Sequence, residues 1–371
     1  MTQDKAVAGK STQDKLLAAW KSADLSRYNL AVLGGTGVGK STLINAVFGV
    51  DLAVTGVGSP VTKGVQYHAP KDATLGLYDF EGAESFATLG QFVAGFAKVY
   101  RQRIEAHPSQ AIHGVWLCIK ASDRRFDDQQ KALVAQLTGM GLPVVLVVTQ
   151  TPWKPELGYS RDAKEFLSYL TGLRLPIVGG QPVPVAALDD PFTGARRHGL
   201  DALVRATESA APQGQQAAFA AAQRIDIELK RKAAQRVIAM ATAAAAGIGA
   251  APIPIPDALP LAGVQTEMMR RITTIYNVPL GPEAVSTLLG QLLTQWLGRL
   301  AATNLLKFVP GAGTAINASV AGTLTGGLGA AWQTLCERDA KGEIEIGTLI
   351  KDNQLTGMMF GLFRDFVLKK R

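Results

Sequence analysis

Nine consecutive residues, Gly34-Gly35-Thr36-Gly37-Val38-Gly39-Lys40-Ser41-Thr42, join four glycines, a lysine and hydroxyl side chains in the spacing G-x-x-x-x-G-K-[ST]. That set suits the binding of phosphate. Glycines let the backbone turn tightly and bring its N–H groups up to phosphate oxygens. A helix opening at Lys40 would aim its positive dipole end at the same place. Lys40 would add a point charge for the β and γ phosphates, and Ser41 a hydroxyl for Mg²⁺, which keeps most of its ligands as water and phosphate. The apolar run Tyr28 to Leu33 before the loop and Leu43, Ile44, Ala46, Val47 and Phe48 after it supply the strand and helix this motif requires. A Gly-rich turn that binds nothing would not need either.

Three further stretches carry suitable groups. Ser59-Pro60-Val61-Thr62 offers a hydroxyl, Asp79-Phe80-Glu81-Gly82 has the form D-x-x-G, and Thr149-Gln150-Thr151-Pro152 follows an apolar run. In this order and spacing the motifs resemble the small GTPase superfamily, near its Era-like and immunity-related branches, over about residues 28–190. The resemblance implies GTP or GDP bound with Mg²⁺. It gives Thr62 the role of the first-switch threonine that completes the Mg²⁺ shell, Asp79 a water-mediated contact to the metal, and Gly82 an N–H that senses the γ-phosphate. Ser41, Thr62 and Asp79 are thus the expected metal group, and Lys40, Thr62 and Gly82 the expected catalytic one. Thr149 and Gln150 stand where the family reads guanine with N/T-K-x-D, but Pro152 occupies the aspartate's place. Ala186 and Ala187 in Val185-Ala186-Ala187-Leu188 match the loop that meets the base through its backbone. Ala83 stands where the family often has a water-orienting glutamine, which implies slow hydrolysis unless a partner or a second copy completes the site. Glu81 and Glu84 are alternatives for that task. The Thr-Gln variant, with Val115-Trp116-Leu117-Cys118-Ile119 and Arg125-Phe126, is similar to a bacterial subgroup in which a helical domain of unknown function follows.

The elements that must position these residues alternate. After the phosphate loop and its helix come β-type runs at Val65 to Ala69 and Ala73 to Tyr78, a helix from Ser85 to His107, and a strand from Ile112 to Ile119. A polar helix from Asp127 to Leu137, a strand from Pro143 to Val148, a helix from Arg161 to Leu173, a strand from Pro182 to Ala186 and a helix from Gly199 to Thr207 complete the series. Such alternation predicts an α/β fold with a doubly wound, mostly parallel sheet, whose ligands sit beyond the carboxyl ends of the strands. The loop at 34–41, Asp79 and Thr149 all fall at such ends.

Composition sets the bounds. The 371 residues suffice for two domains with cores, and 47% of them are hydrophobic. The net charge of +8 divides evenly, with 22 basic against 18 acidic residues through 206 and 16 against 12 after it. Neither half reads as a basic arm for nucleic acid. Cys118 and Cys336 are isolated and read as small buried hydrophobes of a reducing compartment. Residues 1–27, with charges spread through them, read as having no signal peptide, and residues 11–25 within them as a short amphipathic helix (Leu16, Leu17, Trp20). The four histidines are scattered, and no second metal cluster is expected. The expected division is 1–27, a GTPase domain at 28–207, a linker at 208–216 and an all-α helical domain at 217–371.

The helical half begins with an Ala-rich helix over 217–249, broken by Pro252, Pro254 and Pro256. Two helices with one-sided apolar stripes follow. No charge occurs between Lys307 and Glu337, longer than the roughly 20 residues that span a bilayer. Within it Ile316, Val320, Leu324, Leu328 and Trp332 form a ridge, while Ala318, Gly322, Gly326 and Ala330 form a small-residue groove on the opposite face. Either a helix packed between two others or a membrane hairpin fits that pattern. A last helix, Ile344 to Lys370, ends Leu368-Lys369-Lys370-Arg371, as suits a bundle helix with a solvated tail or an interfacial helix on anionic lipid. The expectation is a cytoplasmic GTP-binding switch, peripheral on the inner face of the cell membrane, that slowly hydrolyses GTP. Its helical half would engage a membrane, a second copy or an activating protein. A membrane scaffold with a mainly structural nucleotide site, and an ATPase, are the alternatives.

Overall fold

A computed structural model describes residues 27–49, 59–62, 65–69, 74–80, scattered positions between 93 and 105, 107–248, 253–254, 259–302, 315–316 and 318–369. The helix expected over 11–25, most of that over 85–107, and Gly82 lie outside the described residues, as do Lys370 and Arg371. The chain forms two compact units, and all described residues through Asp226 belong to the first.

The first unit is an α/β sheet layered with helices. In chain order it runs β1 (Tyr28–Leu33), α1 (Lys40–Phe48), β2 (Ser59–Thr62), β3 (Val65–His68), β4 (Leu75–Phe80), β5 (Gly114–Lys120), α2 (Asp128–Gly139) and β6 (Val144–Thr149). It continues with the short strands β7 (Trp153–Lys154) and β8 (Gly158–Tyr159), α3 (Arg161–Gly172), β9 (Val183–Pro184), α4 (Leu200–Ala210) and α5 (Gln216–Ala222). Seven strands join in the order β2-β3-β4-β1-β5-β6-β9. β4, β1, β5, β6 and β9 run parallel, and β2 and β3 are antiparallel additions at one edge. β1, β5 and β6 are buried almost throughout, which is why they read as unbroken apolar runs.

Alternation along β5 divides the core. Val115, Leu117 and Ile119 share a cluster with Phe126, Leu133, Val134 and Phe166. Trp116 points the other way, stacks on Phe48 at 5.5 Å and donates its Nε1–H to Thr207 Oγ1 at 2.9 Å. α2 starts at a capping box in which Asp127 accepts from the Gln129 and Gln130 N–H groups while the Gln130 side chain accepts from Asp127 N–H.

Two differences from the sequence reading stand out here. Ser59–Thr62, read as loop, is an edge strand, the place in a sheet that tolerates Pro60. And the helix expected over 217–249 is two, because α5 ends where the Gln223 side chain accepts from the Ile225 and Asp226 N–H groups at 2.7 and 2.8 Å and donates to Asp226 O at 2.7 Å. These bonds satisfy the backbone of a turn that would otherwise continue as helix. α5 therefore packs with the sheet unit. Phe219 sits 4.9 Å from the Tyr28 ring, and Arg224 N–H donates to Val47 O at 2.8 Å.

The second unit is helical: α6 (Ile227–Ile248), α7 (Leu259–Tyr276), α8 (Pro282–Ala302), α9 (Ala318–Ala340), α10 (Ile346–Lys351) and α11 (Leu355–Lys369), with one short antiparallel pair, β10 (Ile253–Pro254) and β11 (Ala315–Ile316). α9 is its centre, with Val320, Leu328, Trp332 and Leu335 buried. Its closest approaches are not at the expected Gly322 and Gly326, although a Cβ on Gly326 would already lie 3.3 Å from Thr242 Oγ1 of α6. A Cβ on Gly322 would find its nearest neighbour at 3.6 Å, whereas one on Gly327 would meet the Phe363 ring of α11 at 2.7 Å, and one on Gly329 would meet Ile238 of α6 and Met268 of α7 at 2.8 Å. Trp332 Nε1 lies 3.1 Å from Thr273 Oγ1 and 3.2 Å from Met269 O. Glu337 pairs with Arg231 and Lys341, and this holds its carboxyl down at about 2, mainly through the Arg231 hydrogen bond and against the cost of burial.

The helix expected from Ile344 to Lys370 is also divided. Asn353 takes a left-handed conformation (φ 56°), and Gln354 N–H reaches back to Leu349 O at 3.0 Å, a helix-ending pattern that asparagine tolerates. Leu355, Met359, Phe363 and Val367 of α11 are buried. No described helix is long and apolar enough to cross a membrane.

Candidate functional site

The phosphate loop leaves the carboxyl end of β1, the strand whose neighbours β4 and β5 lie on opposite sides and from which the chain winds outward both ways. That is the crevice in which open α/β sheets bind ligands. Gly34, Gly37 and Gly39 have φ of 146°, 76° and 93°. At Gly34 the reason is close approach as well as conformation, because a Cβ there would lie 2.4 Å from Cys118 O on β5. Cys118 is fully buried beneath the loop, and burial, opposed by the Lys40 charge, pushes its thiol up to about 12. It stays protonated and plays no nucleophilic part.

Gly39 caps α1 without a side-chain bond, so the first N–H groups of that helix have no side-chain partner at the cap. Lys40 Nζ donates to Gly34 O and Gly35 O at 2.8 and 3.0 Å, which holds the ammonium over the loop. Thr36, Ser41 and Thr42 are exposed, and Val38 is buried as the loop's anchor.

Thr149, at the end of β6, is 3% exposed, and its Oγ1 lies 2.6 Å from Val38 O and 3.0 Å from Ile119 O. Its hydroxyl therefore ties the phosphate loop to the ends of β5 and β6. Gln150 follows in a left-handed conformation (φ 51°) that turns its side chain over the loop, where Nε2 donates to Gly37 O at 3.1 Å. Thr151 N–H donates to Val185 O at 3.0 Å, bringing the β6 end to the loop after β9 that contains Ala186 and Ala187.

Asp79 and Thr62 are placed by register. Asp79 pairs with Val32 of β1, one residue before that strand ends. Thr62 pairs with Val65, which pairs with Phe80. Both backbones therefore lie toward the carboxyl end of β4, the edge from which the phosphate loop rises.

A cavity of about 580 Å³ reaches from Gly39, at the end of the phosphate loop, and Thr42 past Thr149 and Gln150 to Ala186, Ala187 and Leu188. Its outer wall holds residues that the sequence reading missed. Where the family aspartate would stand, Pro152 leads into the hairpin of β7 and β8, whose Trp153 and Tyr159 rings pack on His198 at 5.5 and 5.4 Å. Asp189 and Asp190 line the same cavity. The Asp190 carboxyl is held below the usual range by the Thr193 hydroxyl and then the Phe192 N–H. Only Trp153 and Tyr159 on either side of Pro155 and Gly158 hinted at the hairpin, and a two-residue strand carries too little periodicity to read. Support for the loop's helix was missed too, since Phe219 and Arg224 lie far along the chain. Among the described residues no group of three or more His, Cys, Asp or Glu could hold a metal ion; the groups the sequence offers to Mg²⁺ are Ser41, exposed near the start of α1, and Thr62 and Asp79, which lie at or near the ends of β2 and β4. A magnesium partner shell with few protein groups fits that donor set.

The comparisons with known proteins also divide the chain in two, with the second match beginning before α5 rather than after it. Residues 29–150 match the family described as 50S ribosome-binding GTPase, and residues 213–355 match a Domain of unknown function (DUF697). The chain thus carries a P-loop GTPase-family domain followed by a helical C-terminal domain of unknown function. No curated protein matches it in sequence. Among solved structures it is similar to a probable GTP-binding protein engB, at 13% identity and a TM-score of 0.32, covering 49% of this chain and 97% of that one. It is also similar to Toc33 from Arabidopsis thaliana in a dimerization-deficient mutant, at 17% identity and a TM-score of 0.32, covering 56% of this chain and 93% of that one.

Proposed function

We propose that the chain is a guanine-nucleotide switch that binds GTP and GDP with Mg²⁺, hydrolyses GTP slowly by itself, and uses its nucleotide state to control what the helical unit engages. The observation that carries the reading is a cavity in which the end of the phosphate loop at Gly39, the Thr149-Gln150 turn and the Ala186-Ala187 loop meet. In this reading the loop N–H groups and Lys40 hold the β and γ phosphates, and Ser41, Thr62 and Asp79 serve the metal. Gly82 responds to the γ-phosphate, and Thr149, Gln150, Ala186 and Ala187 border the base. Chemistry is in-line attack of water on the γ-phosphorus, with Lys40 and Mg²⁺ neutralising charge in the transition state. Ala83 cannot orient that water, so turnover is slow until a second copy or an activating protein supplies the group. The engaged partner is an anionic membrane surface or a protein.

Calorimetric titration of the full chain with GTP, GDP and ATP in Mg²⁺ tests the reading. Guanine nucleotides should bind and ATP should not. Lys40→Ala removes a charge-assisted contact of about 1.5–3 kcal/mol, so affinity should drop at least about tenfold. Unchanged affinity in that variant would place the nucleotide elsewhere.

A further inference from the structure

We propose that the Asp189 carboxylate reads the base, accepting from the N1 and N2 hydrogens of guanine in place of the aspartate that Pro152 displaces. The inference rests on the nucleotide reading above and extends it from the phosphates to the base.

Guanine differs from adenine on this edge by presenting N–H donors, and a buried or half-buried donor pair needs an acceptor opposite it. The cavity that begins at the phosphate loop supplies two carboxylates, Asp189 and Asp190, among its described lining residues. Asp190 is occupied by its own turn. Its Oδ1 accepts from the Phe192 and Thr193 N–H groups at 3.0 and 3.4 Å, and its Oδ2 accepts from the Thr193 hydroxyl at 2.5 Å.

Asp189 is arranged differently. Its Oδ1 accepts from Arg197 N–H at 2.7 Å, which orients the carboxylate, while Oδ2 stands 3.6 Å from the Arg196 guanidinium, beyond hydrogen-bond length. The Arg196 and Asp189 side chains are 63% and 57% exposed, so this ion pair lies in solvent and leaves that oxygen within reach of a ligand. The loop that carries it is fixed at both ends. Ala186 and His198 exchange backbone bonds at 3.1 and 3.0 Å, Asp190 N–H donates to Ala195 O at 2.8 Å, and His198 Nε2 lies 2.9 Å from Thr151 O. An acceptor is thereby held in a set position relative to Thr149 and Gln150, a carboxylate supplied from β9 where the family pattern would take one from β6.

The test exchanges acceptor for donor. In Asp189→Asn the amide oxygen can still accept from Arg197 N–H, while the amide NH₂ now faces the base. It opposes guanine and suits xanthine, which carries a carbonyl at position 2. Calorimetry on the full chain with GDP, xanthosine diphosphate and ADP in Mg²⁺ should show wild type preferring GDP. The variant should lose at least about tenfold for GDP and gain at least about tenfold for the xanthosine nucleotide. A misfolded variant cannot produce that gain. If wild type binds GDP and the GDP to xanthosine diphosphate ratio is unchanged in Asp189→Asn, the proposal is overturned while the guanine reading stands. The same holds if the exchange of preference appears in Asp190→Asn instead. If wild type prefers ADP or binds no nucleotide, the reading falls and this proposal falls with it.

Discussion

The sheet unit and the helical unit use glycine for opposite ends. In the first, Gly34, Gly37 and Gly39 shape backbone that points N–H groups outward, and their positions follow a motif that any reader of the sequence meets at once. In the second, Gly327 and Gly329 sit in ordinary helix and exist to let other side chains in, Phe363 against one and Ile238 with Met268 against the other. A glycine that serves a ligand is marked by its neighbours in sequence. A glycine that serves packing is marked only by its neighbours in space.

The largest expected effect lies at Gly34. Alanine there must hold a φ of 146° and place a Cβ 2.4 Å from Cys118 O, so strain and overpacking together should cost about 2–6 kcal/mol. Denaturant unfolding should show the loss in the sheet unit, with nucleotide affinity reduced in the fraction that folds. Gly37, at a φ of 76° near the left-handed region that other residues enter at modest cost, and with nothing within 4 Å of a Cβ, should cost only about 1–2 kcal/mol. Equal losses at the two positions would mean that the approach to Cys118 does not matter.

Acid separates the units by mechanism. Burial holds His113 down at about 4, and its Nδ1 accepts from Asn29 N–H at 2.9 Å. The unfolded chain takes up that proton from about 6.5 downward, so the stability His113 contributes is present above 6.5 and is lost as pH falls toward 4. Glu337, held at about 2 in the helical unit, contributes stability that is present above 4.5 and is lost as pH falls toward 2. Hydrogen exchange followed from pH 7 to 3 should therefore show protection weakening in the sheet unit first. His113→Gln should flatten the upper part of the profile and Glu337→Gln the lower part. A helical unit that loosens between pH 6.5 and 4.5 while the sheet holds would reverse the assignment.

The same contrast explains what could be read from the sequence alone. The strands β1, β5 and β6, the phosphate loop and the place of Thr149 at a strand end were legible because these strands are buried on both faces and read as apolar runs that end at polar residues. The base end was not. Pro152, the β7–β8 hairpin and Asp189 come together through Thr151 N–H on Val185 O and Arg197 N–H on Asp189, contacts that no spacing announces. The break after α5 was hidden for a related reason: residues 217–249 have uniformly high helix propensity, and the Gln223 side chain overrides it with hydrogen bonds that propensity does not weigh. Around α9 the four-residue recurrence of small residues left a packed helix and a membrane hairpin both open, and it set the close contacts at Gly322 and Gly326 where the closest are at Gly327 and Gly329.

That error makes the last and smallest test the most discriminating for the helical unit. Gly327→Ala puts a methyl 2.7 Å from the Phe363 ring, whose neighbour in the bundle leaves it little room, and should destabilise by about 1–3 kcal/mol. Gly322→Ala meets nothing closer than Ala246 Cβ at 3.6 Å and Thr242 at 3.7 Å, ordinary contact distances. There the gain in helix propensity, up to about 1 kcal/mol, should leave the unit as stable as before or slightly more so. Thermal unfolding of the two variants side by side decides the matter. If Gly322→Ala proves the more damaging, the groove on that face is where α9 is gripped, and the recurrence in the sequence was the better guide.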